Sequence, residues 1–247
     1  MSVGANFKLF DTLVLPVASY GCQVWLPFSS FFSSLGGRGV TSCGFMNKTA
    51  QDPTEKLHLR FMKWSLGVHK RCSNLACYGD TGRFPLAIPL AKQLLGYFQR
   101  LKSMDTFGSD SLARHAFCEQ RDSELDWFKK ITSTLRSIGL TDSTSPIIFK
   151  GKLQNMFNEL WKEGVNESPK LRFYKKCKQD LNAGIRFEPY LTIKNLKDRR
   201  CLTQLRASCH RLKIETGRYQ NNNPLGWSSE NARMSLRRCE FCTSADI

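Results

Sequence analysis

The stretch DPTEKLHLRFMKWSLG, residues 52–67, constrains the chain most, because it carries a helix start, a helical repeat and a helix stop in one run. Asp52 is placed to cap, Pro53 suits a first turn, and Glu55 stands where a capping box wants an acid. Leu57, Phe61, Trp64 and Val68 recur every three or four residues and predict one apolar face, with Lys56, Arg60 and Lys63 on the others. Gly67 is a natural stop. The same period returns in Leu90, Leu94, Phe98 and Leu101, in Leu125, Phe128, Ile131, Leu135 and Ile138, and in Leu153, Phe157, Leu160 and Trp161. Convincing alternation is scarce, so the pattern predicts a mainly α protein with little strand.

Between these helices the signal weakens. Phe10, Leu13, Val17 and Val24 lie near helical spacing with Tyr20 between them, and Pro16 should kink or restart that helix. Residues 27–51 are Ser/Gly-rich and aperiodic, which predicts a long flexible loop. CSNLACYGDTGRFP predicts a short helical turn followed by a Gly-rich loop. Residues 104–121 are polar and irregular and serve as a linker. The expected organisation is therefore two loosely joined helical parts: 1–103, and a basic region over 122–219. An irregular tail follows over 220–247. EPYLTIKNLKDRRCLTQLRAS reads as one long or broken helix, basic on one side, and HRLKIETGRY as an extended arm.

From Thr12 to Gly37 there is no charge at all. A membrane span is still not expected, because Pro16, Pro27, a serine run and a glycine pair interrupt the apolar residues. A secretory signal is not expected either: the lone Lys8 makes a poor basic flank and no small-residue cleavage site follows. The scattered cysteines agree with a reducing, intracellular compartment, nuclear or cytoplasmic.

Charge points to the partner. The chain holds 37 Lys plus Arg against 21 Asp plus Glu, a formal +16. From Lys170 to Arg218 there are fourteen basic residues and four acidic ones, so most of the excess sits in about one fifth of the sequence. Such a run, carrying Phe173, Tyr174, Phe187 and Tyr190, suits a polyanion better than a membrane surface. The candidate nucleic-acid contacts are Lys63, Lys70, Arg71, Lys194, Lys197, Arg199, Arg200, Arg206, His210, Arg211, Lys213 and Arg218. A small-molecule substrate is not expected, and no nucleotide-loop, nucleophile-elbow or HExxH motif is present.

Two cysteine features bear on chemistry. Cys209 and His210 are adjacent, and neighbours in sequence rarely face each other, so packing of Cys209 fits better than a nucleophile and its base. Cys239 and Cys242 form a CxxC like the first half of a zinc knuckle. Only five residues follow, none of them His or Cys. The pair is a truncated site, a plain dithiol, or one that draws further ligands from elsewhere, His210 among them; truncation fits best. No cofactor is expected to be required, with zinc only where such a knuckle is complete.

Three blocks, DTLVLPVASYGCQVW, EKLHLRFMKWSLGVHKRCSNLACYGDTGRFPL and LRASCHRLKIETGRY, resemble segments downstream of the polymerase core in LINE-type (non-LTR) retrotransposon reverse transcriptases. The blocks occur in the order found there, and matching is weaker at 27–51 and 104–190. The resemblance implies a thumb-like region, then a post-polymerase region ahead of a CCHC zinc knuckle, of which Cys239 and Cys242 match the first two ligands. The paired aspartates of such polymerases have no counterpart here. The resemblance therefore implies a fragment that grips RNA or DNA without copying it. A remnant acting as a protein-interaction module is the alternative, and a polymerase working with a separate palm is a third.

Overall fold

The computed structural model describes residues 2–35, 41–106, 108, 110–123, 125–178, 181 and 183–209. Its elements are helical throughout these residues, and the only β feature among them is an isolated bridge between Thr81 and Phe187. The mainly α architecture follows the helical period of the sequence.

The amino-terminal run begins with α1 (Val3–Leu9), continues as a π-helical turn over Phe10–Val14, and resumes as α2 (Leu15–Ala18). The π turn is the answer to Pro16. Proline lacks an amide hydrogen and its ring crowds the carbonyl four residues back, so the register loosens there. The Leu15 amide donates to the Phe10 carbonyl five residues earlier, and Thr12 Oγ1 donates to the Lys8 carbonyl. Gly21, at φ 63°, then reverses the chain into α3 (Cys22–Trp25) and a 3-10 turn at Leu26–Phe28. Val3, Phe7 and Phe10 are buried, whereas Leu13, Val17, Tyr20 and Val24 stand open to solvent. The apolar stripe expected there exists, but most of it faces outward.

Residues 27–35 and 41–51 are more regular than the composition of that stretch predicts. They hold α4 (Ser30–Leu35) and α5 (Ser42–Thr49), with Phe31, Phe32 and Phe45 buried. Phe28, Phe31, Phe32 and Leu35 keep helical spacing between the serines, and the serine hydroxyls donate back to the preceding turn, as Ser34 Oγ does to the Ser30 carbonyl at 2.7 Å. Asp52, expected to cap the following helix, instead accepts from the Ser30 and Phe31 amides at 2.9 and 3.2 Å. It caps α4 across the fold. Asp52→Ala is expected to cost about 1 kcal/mol and to speed amide exchange at Ser30 and Phe31 selectively. Faster exchange at the start of the next helix instead would restore the local cap.

That next helix is α6 (Pro53–Leu66), closed by Gly67 in the left-handed region at φ 69°. Its buried side is Glu55, His58, Leu59, Met62, Ser65 and Leu66, not the predicted Leu57, Phe61, Trp64 and Val68. Leu57 and Trp64 are exposed. The helix is apolar on two sides, and the inner one carries polar residues that satisfy each other. α7 (Asn74–Thr81) is a full helix rather than a single turn. α8 (Ala87–Thr106) buries Leu90, Leu94, Phe98 and Leu101 as predicted.

The linker placed at 104–121 is largely helical, as the end of α8 and as α9 (Leu112–Asp122), whose Phe117 packs on Phe98 with ring centroids 5.7 Å apart. α10 (Asp126–Ser137) and α11 (Pro146–Glu167) follow. α11 packs against α8, α5 and α7. Its Trp161 is fully buried and donates to the Leu75 carbonyl at 2.9 Å, while Trp127 of α10 donates to the Gln23 carbonyl at 2.8 Å. One core cluster thus runs from Val3 to Ala207 and crosses the boundary between the two expected parts. The chain continues through a 3-10 turn at Pro169–Leu171, α12 (Arg172–Cys177), a second 3-10 turn at Pro189–Thr192 and α13 (Leu196–Arg206). The long basic helix is broken between Thr192 and Leu196. Among the described residues no single helix is long and apolar enough to cross a membrane.

Candidate nucleic-acid interface

The basic region of the sequence meets the amino-terminal part where α6 ends. Gly67 closes that helix, and a Cβ added there would lie 2.4 Å from Arg200 Nε, so the Arg200 side chain lies directly across it. Gln204, one turn further along α13, donates to the Gly67 carbonyl at 3.0 Å. α13 is thereby pinned to the end of α6.

Next to this junction the chain turns at His69–Cys72, where the Cys72 amide donates to the His69 carbonyl at 2.8 Å. Two ammonium groups hold the turn. Lys63 Nζ donates to the Lys70 carbonyl at 2.8 Å, and Lys170 Nζ donates to the Arg71 carbonyl at 3.4 Å. An ammonium has three donors, so each keeps two for another partner. The side chains of Lys70, Arg71 and Arg200 are exposed. Five cations from three separate parts of the sequence are therefore gathered around one turn. Between Pro53 and Arg71 the only acidic residue is Glu55, which is 2% exposed, so the exposed charge of that stretch is all positive. Like charges brought together on a surface repel unless an anion joins them.

The predicted site residues divide accordingly. Lys63, Lys70, Arg71 and Arg200 come together. Lys194 and Lys197 are exposed at the start of α13. Arg199 and Arg206 are corrections, since both face inward. Arg199 is buried and donates to the Ile193 carbonyl at 3.0 Å. Arg206 Nη2 pairs with Asp80 at 3.2 Å and with Glu188 at 3.1 Å, and its guanidinium stacks over the rings of Tyr190 and Tyr174 at 4.8 and 5.7 Å. Burial works against this charge, but Asp80, Tyr190 and Glu188 together more than offset it and keep the guanidinium firmly protonated. Asp80 also accepts from the Tyr190 hydroxyl at 2.6 Å, and Lys178 reaches Glu188 at 3.3 Å over the face of Trp161. Burial pushes the Lys178 ammonium below its ordinary value. Asp80 and Glu188 hold Arg206 and Lys178 inside the fold, with Arg186 reaching Glu188 from the surface at 3.7 Å, so Arg206 is engaged by buried carboxylates rather than offered to a phosphate. His210, Arg211, Lys213 and Arg218 lie outside the described residues, as do Cys239, Cys242 and the arm and tail from 210 onward.

Lys170 was missed. It opens the basic run in the sequence, but nothing there places it beside Arg71, 99 residues earlier.

A second buried network braces the other side of α6. Glu55 accepts from His58 Nδ1 at 2.9 Å, the Tyr78 hydroxyl at 2.7 Å and the Leu86 amide at 2.7 Å. Arg83 Nε donates to His58 Nε2 at 3.0 Å, which places the imidazole proton on Nδ1, and the same guanidinium forks onto Asp11. This network ties the amino-terminal run to α6, α7 and the Gly-rich turn, and so steadies the helix that carries Lys63.

Cys209, the last described residue, lies beside Cys72. Its hydrogen bond to Cys72, together with burial, pushes its thiol well above the ordinary value. A thiol held protonated is a poor nucleophile, so Cys209 packs rather than reacts. Among the described residues every cysteine is free, and no group of three or more His, Cys, Asp or Glu side chains converges to hold a metal ion.

Comparison with protein-family models, curated proteins and solved structures finds no match to this chain.

Proposed function

We propose that this chain binds the sugar-phosphate backbone of RNA or DNA with little sequence preference, through the cationic surface at the α6–α13 junction. On this reading it is the thumb and post-polymerase part of a LINE-type reverse transcriptase, non-catalytic by itself and intracellular. The observation that carries it is the convergence of Lys63, Lys70, Arg71, Lys170 and Arg200. A polyanion relieves the repulsion of that cluster, and each phosphate contact releases a condensed counterion. The resemblance of the three sequence blocks points to the same class of partner.

The test is a salt titration of binding to a labelled oligonucleotide. Replacing Lys70, Arg71, Lys170 and Arg200 together with Gln is expected to flatten the slope of log K against log salt by about 3, from roughly 0.7–0.9 per phosphate contact. An unchanged slope would sink the proposal.

A second reading, a protein-interaction module, draws support from the exposed stripe of Leu13, Val17, Tyr20 and Val24. Salt-insensitive association with a protein, together with no retention on heparin, would favour it.

A further inference from the structure

Trp64 is 66% exposed on α6 at the edge of this cationic surface. Leaving an indole in water forgoes one of the largest burial gains available to a side chain, so its placement asks for a partner. Its inner side is held: the Phe61 ring lies 5.6 Å away, and Phe61 rests in turn on Phe10 at 4.7 Å. Along the exposed side of α6, Arg60 stands one turn before Trp64 and Gly67, covered by Arg200, stands three residues after it. Lys63 is its immediate neighbour. An aromatic plane fixed from behind, with Leu57 and Phe61 on one flank and cations on the other, matches a nucleotide, which offers a flat base and an anionic phosphate within one residue's reach.

We infer that Trp64 stacks on an unpaired base, so that this surface holds single-stranded nucleic acid in preference to duplex. The inference rests on the backbone-binding reading above and sharpens it. In a duplex each base face is already covered by its neighbours, and only the phosphates remain for the cations. In a single strand the base can turn outward and lie on the indole while Lys63, Lys70 and Arg71 hold the flanking phosphates. The charge around Trp64 argues against an apolar protein surface as the occupant, because docking one would desolvate Arg60, Lys63 and Arg200 without compensation.

The experiment uses the full chain, with fluorescence-anisotropy titrations against oligothymidylate and against a blunt duplex of equal length, at one salt concentration. Trp64→Ala is expected to weaken oligothymidylate binding about tenfold, in line with the contribution of a single stacked base. Duplex affinity should change by less than about twofold, and Trp64→Phe should recover most of the loss. The salt slope should not change, because no cation is removed. Both variants should keep the wild-type urea midpoint, since the side chain is mostly exposed. Equal losses on the two ligands, or no loss on either, would overturn the stacking role; the second result would assign Trp64 to a protein contact. If the unaltered chain binds neither ligand, the backbone-binding proposal fails and this inference falls with it. If it binds both and Trp64→Ala does not discriminate, only the inference fails.

Discussion

Arg206→Ala is expected to lower the stability of this chain by about 3–5 kcal/mol, the range for breaking a buried ion pair from one side. The guanidinium is 14% exposed and satisfies two carboxylates at once, Asp80 at 1% and Glu188 at 9%. Taking it away removes the ion pair to the buried Asp80 and leaves Glu188 to Lys178 and Arg186. The loss also opens the stack on Tyr174 and Tyr190 and frees the carboxy-terminal end of α13, and with it Cys209. Urea denaturation measures the change. Asp80→Asn should cost a similar amount by the same argument, and Asp80→Asn combined with Arg206→Met should cost less than the sum, because no charge is then left without a partner. The outcome separates two roles that look alike in a binding assay. An arginine that held phosphate from the surface would weaken nucleic-acid binding on removal while leaving the urea midpoint nearly unchanged. A shift below about 1 kcal/mol, within the range of surface substitutions and exposed pairs, would return Arg206 to that surface role.

The contrast between Arg200 and Arg206 shows where sequence reasoning runs out. Both lie on α13, six residues apart, in the same basic run. Helical periodicity identifies the helix but cannot tell which cation points outward, because what turns Arg206 inward is Asp80, 126 residues earlier. The same holds on α6. Its start and stop were legible from Pro53 and Gly67, because those signals are local backbone chemistry. Its buried face was not legible, because Glu55 and His58 occupy it, and a periodicity argument takes Glu and His for surface residues. They are tolerated inside only because Tyr78, the Leu86 amide and Arg83 meet them there. The four apolar positions of α8, by contrast, were read correctly, since no buried polar network competes with the stripe. Segment 27–51 failed for a third reason: serine favours caps and turns in isolation, and the helical phenylalanine spacing beneath it counts only once α11 supplies Phe157 for Phe45 to pack on.

Gly82→Ala is the sharpest test of how the turn after α7 is joined to the segment ahead of α13. Gly82 sits at φ 70°, where an L side chain costs about 1–2 kcal/mol. Its Cβ would also lie 2.4 Å from the Phe187 backbone nitrogen. That neighbour is main chain, so it cannot rotate aside; the strand-like contact between Thr81 and Phe187 would have to open. The Glu188 amide, which donates to the Asp80 carbonyl at 2.9 Å, would move with it, and so would the Glu188 carboxylate that Arg206 and Lys178 share. Overpacking adds roughly 1–3 kcal/mol, so the expected loss is about 3 kcal/mol, or about 6–12 °C in Tm for a chain of this size. Gly139→Ala is the matched control. It shares a positive φ of 71° with nothing within 4 Å of the added Cβ, so it should show the backbone cost alone. Equal losses at the two glycines, measured by thermal melting, would mean that the 80–82 and 186–188 segments are not in close contact. The charge network that carries Arg206 would then lack its anchor.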